Sequence, residues 1–201
     1  MISAIVLAAG QSTRMGRNKL LLPFGQATVL ETIVTEIAVC DQVRDIVVVT
    51  GHERDRVEAL LTGYPARCVF NPDYARAEML VSIQVGLRAL AADVTAALIV
   101  LGDQPRLQRD IVQRIIEAYV PDRLVIPSYQ MKRGHPILIP RSLWPHVLSV
   151  PKDSTLRDVI RAHADRIDYV EAENDSVLRD MDTPEDYQKL IHRGDAEAER
   201  D

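Results

Sequence analysis

The chain has 201 residues, a formal net charge of −5, 47% hydrophobic residues and 26% charged ones. This length suits one α/β domain with a full core, and the acidic balance argues against a nucleic-acid binder, which would carry a basic excess. No apolar stretch reaches the length of a membrane span. The first strand starts so early that no signal peptide is expected. Cys40 and Cys68 have neither metal nor disulfide-framework spacing and are expected as reduced core thiols, which fits a cytoplasmic protein.

Strands and helices alternate along the first two-thirds. Ser3–Ala8 reads as a buried strand and Thr28–Cys40 as a helix, with Leu30, Ile33, Val34 and Ile37 on one face. Asp45–Thr50 carries a β-branched run typical of a strand buried on both faces. A helix over Arg54–Leu61, a short strand over Arg67–Phe70 and a helix over Met79–Leu90 follow. Ala96–Leu101 is another buried strand, and Ile111, Val112, Ile115, Ile116 and Tyr119 mark one helix face. This order implies a mostly parallel sheet covered on both sides by helices. After Val120, the short apolar runs Leu124–Pro127 and Gly134–Pro140 suggest a hairpin-like excursion added to the main sheet. Helices over Arg141–Val150, Thr155–His163 and Thr183–His192 and a strand over Ile167–Glu171 complete one domain, residues 1–193. The small and charged tail from Gly194 to Asp201 is expected to be disordered.

The segment Leu7–Lys19 is the most informative. A small-residue loop with Gly10 and Gly16 follows the first strand and carries Arg14 and Lys19. Such a loop brings backbone N–H groups close to phosphates, and the two cations neutralise phosphate charge. It is not a P-loop, because five residues separate Gly10 from Gly16 and Arg17-Asn18 follow. Nor is it a dinucleotide fingerprint, since Gln11-Ser12 follow Gly10. The plain alternative is a long polar connection. Gly102-Asp103-Gln104-Pro105 comes directly after the strand ending at Leu101, where ligands gather in open α/β sheets. Gly102 would let the backbone approach a ligand. Asp103 is either a metal-holding carboxylate or a helix-capping turn residue. Thr183, Pro184 and Asp186 make a good helix start that leaves Asp182 unexplained, at the end of an expected strand. Asn71 and Ser82 are candidates for bonds to ribose or base, against an Asn-Pro turn and a helix cap. His135, in Gly134-His135-Pro136, is either near a second substrate or an ordinary loop histidine.

Together these motifs resemble the MobA-like NTP transferase superfamily, with its L-A-A-G-x-S-x-R-M-G-x-x-K loop, and within it the molybdenum cofactor cytidylyltransferase group. The resemblance rests on Leu7–Lys19, Gly102–Pro105, Arg133–Pro136 and Asp182–Tyr187, in family order along nearly the whole chain. It implies a Rossmann-like three-layer α/β/α fold with a mostly parallel mixed sheet, and Mg²⁺-dependent nucleotidyl transfer. Arg14, Lys19 and Asp103 would be catalytic. Leu7, Ala8, Ala9, Gly10, Gly16, Asn71 and Ser82 would hold the nucleotide, Asp103 and Asp182 the metal, and Gln104, Gly134 and His135 the second substrate. The reactants implied are CTP and molybdopterin, with a molybdenum hydroxylase receiving the product. GTP or a sugar phosphate as reactant, or a non-catalytic nucleotide-binding accessory role, are the alternatives. One departure bears on the base: relatives usually carry Gly where this chain has Ala77.

Overall fold

A computed structural model describes residues 1–75 and 79–198, with side chains through residue 191. The chain opens with β1 (Ile2–Ala8), followed by a small hairpin of β2 (Pro23–Phe24) and β3 (Ala27–Thr28). Thr28 caps α1 (Val29–Ala38). Its hydroxyl accepts from the Glu31 N–H and the Glu31 carboxylate accepts from the Thr28 N–H, a reciprocal box that satisfies two otherwise unpaired donors. Next come β4 (Val43–Thr50), α2 (Arg54–Leu60), β5 (Arg67–Phe70), α3 (Met79–Ala89), β6 (Ala96–Leu101) and α4 (Arg109–Glu117). The last third holds β7 (Leu124–Tyr129), β8 (Lys132–Arg133), β9 (Ile137–Pro140), α5 (Trp144–Ser149), α6 (Leu156–Ala162), β10 (Ile167–Glu171) and α7 (Pro184–Ala198).

The main sheet runs β10-β7-β9-β6-β1-β4-β5, with β8 paired to β7. β1 is parallel to both β4 and β6, in a register that aligns Ala8 with Thr50 and Leu7 with Leu101. Three carboxyl ends therefore meet at one edge, and the loops that follow them face each other. Side chains alternate between two cores. Ala4, Val6, Val48 and Val100 pack under α1, α2, α4 and α7, whereas Ile5, Val47, Val49 and Ile99 pack under α3, α5 and α6. The result is the three-layer α/β/α sandwich expected. No described helix is long and apolar enough to cross a membrane.

Two expectations change here. The runs after Val120 are not an appendage: β7 and β9 are central strands, β9 antiparallel to both β6 and β7. Leu124, Val125, Ile126, Ile137, Leu138 and Ile139 are all buried, and only an interior position hides both faces of such runs. Only β7 and β8 form the hairpin, turned through Gln130 and Met131 at positive φ. At the other end, α7 continues past Gly194 to Ala198, in keeping with the helix propensity of its alanine and glutamate residues. The rest of the expected tail, 199–201, lies outside the described residues.

Candidate active site

The loop after β1 is built to point two cations in different directions. Ser12 and Gly16 both take left-handed backbone angles around a short 3₁₀ turn, Thr13–Met15, whose Met15 is buried. The Ser12 hydroxyl accepts from the Lys19 N–H at 3.2 Å, and the Asn18 side chain accepts from the Leu20 N–H at 3.1 Å. Leu20 is buried beneath them. This leaves Arg14 exposed at the rim and turns Lys19 inward.

Lys19 Nζ lies 2.5 Å from Asp103 Oδ2 and 2.9 Å from Asp182 Oδ1, and Arg14 Nη2 lies 2.8 Å from Asp182 Oδ2. These side chains line a cleft of about 180 Å³ with Leu7, Gly10, Ser12 and Thr13. Asp182 reaches Asp103 because the Met181 N–H donates to the Asp103 carbonyl at 3.0 Å, with Met181 fully buried. On its other side Thr183 and Asp186 form the expected capping box at the head of α7. Asp182 does not end a strand. A 3₁₀ turn, Asp175–Leu178, precedes it, so the apolar anchor of Met181 replaces sheet pairing in placing it.

The charges stabilise one another. Burial works against the Lys19 ammonium, but the Asp103 and Asp182 carboxylates outweigh it and raise the lysine pKa. Burial likewise opposes the Asp182 carboxylate, and Lys19 and Arg14 more than compensate, holding it below its ordinary value. A third carboxyl group, Asp180, is shifted the other way. Burial and the nearby Asp103 and Asp182 push it up, against a hydrogen bond from Gln104. Its place in the cluster was readable only as the other acid of Asp180-Met181-Asp182.

Several expected site residues carry hydrogen bonds and contacts of the framework. Gly102 donates its N–H to the Leu7 carbonyl at 3.0 Å, and a Cβ there would stand 2.5 Å from that oxygen. A close approach to β1 therefore requires glycine here. Gln104 is buried and donates to Asp180 Oδ1 at 2.7 Å, so it props a carboxylate and does not open onto the cleft. Asn71 donates to Ser82 Oγ at 3.0 Å and accepts from the Asp73 N–H at 3.0 Å, which closes an Asx turn. Ser82 stands inside α3 and is not its cap. Both are buried, and neither lines the cleft around Lys19. Ala77 lies outside the described residues.

Gly134 and His135 are held by backbone bonds to Pro127 and Val177. The His135 ring bonds to the Ile99 carbonyl, and its Nδ1 is closed off from solvent with no partner among the described residues. Burial lowers its pKa, so it is neutral near pH 7. His135 is close enough to Asp103 to feel its charge, and it lines a second cleft of about 450 Å³.

Asp103 and Asp182 each place an oxygen within 2.9 Å of a single point, now held by the Lys19 ammonium. Two hard oxygen donors converging on one cation position fit Mg²⁺ or Mn²⁺. No set of three or more His, Cys, Asp or Glu gathers into a metal cage among the described residues. A two-carboxylate site suits a cation that shares its shell with phosphate and water.

The MobA-like NTP transferase domain model matches residues 4–167. The chain belongs to this family. Two curated relatives of this MobA-like chain align end to end. The molybdenum cofactor cytidylyltransferase of Escherichia coli K12 is 31% identical, covering 92% of this chain and 93% of its own. The nicotine blue oxidoreductase of Paenarthrobacter nicotinovorans is 30% identical, covering 94% and 96%. Among solved structures, a nucleotidyl transferase from Methanothermobacter thermautotroptrophicus superposes with a TM-score of 0.83 at 28% identity, covering 96% of this chain and 97% of its own. A Mycobacterium tuberculosis H37Rv protein solved in complex with manganese gives 0.78 at 25% identity, covering 95% and 98%. The chain is thus a nucleotidyltransferase-family protein whose charged cluster lies at the carboxyl edge of its sheet.

Proposed function

We propose that this protein transfers CMP from CTP to the terminal phosphate of a molybdopterin-type cofactor and releases pyrophosphate. The observation that carries this reading is the Lys19–Asp103–Asp182 cluster, with Arg14 at its rim, directly behind the Gly10 loop. Supporting it are the family membership and the full-length similarity to a molybdenum cofactor cytidylyltransferase. Base and acceptor rest on that similarity alone.

In this reading the backbone of Leu7, Ala8, Ala9 and Gly10, with Gly16 turning the loop, receives the triphosphate. Arg14 and Lys19 hold its oxygens and stabilise charge as the reaction proceeds. An oxygen of the acceptor phosphate attacks the α-phosphorus. A new P–O bond forms as the α–β bridge breaks, and the bonding pair departs with pyrophosphate. The acceptor is already an anion near neutral pH, so alignment matters more than a strong base. Neutral His135 and the Gly134 backbone position the acceptor. Mg²⁺ held by Asp103 and Asp182 would polarise the α-phosphate; the relative solved with manganese supports a divalent ion here. A molybdenum hydroxylase is the expected recipient of the product.

Pyrophosphate release with purified cofactor, comparing CTP, GTP and ATP, tests the proposal. CTP should be preferred, and Asp103→Ala should lower turnover by about 10²- to 10³-fold. Strict GTP preference would refute the cytidylyl assignment alone, and preference for a sugar phosphate the acceptor. Nucleotide binding without pyrophosphate release would favour an accessory role. The oxidoreductase relative is nearly as similar, and one fold hosts many chemistries. No release with any reactant pair would bring that chemistry forward.

A further inference from the structure

The second cleft, between α3, α6 and the His135 turn, has its own chemistry. Its floor is apolar, formed by Leu80, Leu156 and Ile160. Met79 lies at its edge and is 41% exposed. Its volume of about 450 Å³ suits a small molecule. Two arginines, Arg133 and Arg157, line it, and no carboxylate does among the described residues, although the chain as a whole carries a net charge of −5.

Among the described residues the acids near the cleft have partners, and Asp158 also feels the charge of Arg157. Asp158 accepts from both the N–H and the hydroxyl of Thr155 and lies 3.5 Å from Arg161, while Asp103 pairs with Lys19. Arg133 is braced from behind: its Nε donates to the Tyr169 hydroxyl at 2.8 Å, and its guanidinium stacks 5.5 Å from that ring. Its two terminal nitrogens remain as a fork for an oxyanion. Arg157 has no hydrogen bond or ion pair among the described residues.

We propose that this cleft binds an acceptor with an apolar body bearing an oxyanion, and that Arg133 and Arg157 recognise the oxyanion. The word acceptor rests on the transferase reading; the ligand chemistry does not. His135 Nδ1, closed off and without a partner among the described residues, marks the end of the cleft nearest Asp103.

Equilibrium binding of 1-naphthyl phosphate, followed by its own fluorescence, tests this without turnover. Wild type should bind it in the micromolar range, with 1-naphthol and inorganic phosphate each at least about tenfold weaker. Arg133→Ala and Arg157→Glu should each weaken binding about tenfold or more, and Arg157→Lys should fall between. Arg14→Ala should leave it unchanged, because Arg14 lies in the other cleft. Both cleft arginines are exposed, and an unchanged Tm would show that the variants fold. Arginine-independent binding, loss in Arg14→Ala instead, or no binding by wild type would each overturn the proposal. If arginine-dependent binding holds while no pyrophosphate is ever released, the cleft assignment stands and the transferase reading falls.

Discussion

At the scale of single residues, Lys19 is the group whose position says most. A lysine in a phosphate loop is legible from residue type, and so are Asp103 and Asp182 as carboxylates after a strand and before a helix. Their meeting is not legible, because Lys19 lies 84 positions from Asp103 and 163 positions from Asp182 along the chain. The meeting has a consequence. Lys19 holds the point on which both carboxylates converge, so a divalent cation must displace its ammonium, and a triphosphate gives that ammonium somewhere to go. Lys19→Met should therefore bind Mn²⁺ more tightly than wild type without nucleotide, by about tenfold. It should also bind CTP more weakly. Electron paramagnetic resonance of free Mn²⁺ reads the first effect directly; equal or weaker Mn²⁺ binding would show that Lys19 does not compete for the site. The framework contacts of Gln104, Asn71 and Gly102 share one cause. Polar or small residues beside a ligand-binding edge also carry the hydrogen bonds and close contacts that build that edge, and sequence alone does not separate the two uses.

At the scale of elements, what is local was readable and what is relational was not. The capping boxes at Thr28, Thr155 and Thr183 each need residues three apart, and sequence spacing shows that. The central placement of β9 needs β6 and β7 on its two sides, which no local pattern specifies. The contact between α5 and α6 is another relation of this kind. His146 Nδ1 lies 2.8 Å from His163 Nε2, a distance that works only while at least one ring is neutral. Burial lowers the His163 pKa first, and the His146 ring and Arg166 lower it further, against Asp165. A base with a depressed pKa stabilises the fold above its ordinary value of 6.5 and loses that contribution as pH falls through the folded value. Tm should therefore drop more steeply below pH 6.5 in wild type than in His163→Gln. Parallel Tm–pH curves for the two proteins would show that the pair is not coupled to stability.

At the scale of the whole molecule, the last helix closes the site from the far end of the chain. The buried Tyr187 donates its hydroxyl to the Pro23 carbonyl at 2.7 Å, and Arg106 donates to the Leu190 carbonyl at 3.0 Å. These bonds, with Met181 on Asp103, fasten α7 beneath the opening loop and hold Asp182 in range of Lys19. Tyr187→Phe should lower unfolding stability by about 1 kcal/mol in urea titration and weaken Mn²⁺ binding, since Asp182 loses part of its support. A stability loss with unchanged Mn²⁺ affinity would mean that Met181 and the Thr183 cap suffice to place the carboxylate. The alternation of apolar runs and helical faces was enough to specify three layers and a mostly parallel sheet, because period-2 and period-3.6 burial are properties of neighbouring residues. The same holds for the small-residue loop after β1, a contiguous motif. The pairing of Asp103 with Asp182 through Lys19, the inward turn of Gln104, the strand order around β9 and the arginine-lined cleft all depend on residues far apart in the chain. Their distances are set by how buried surfaces pack, and only the folded chain contains that information.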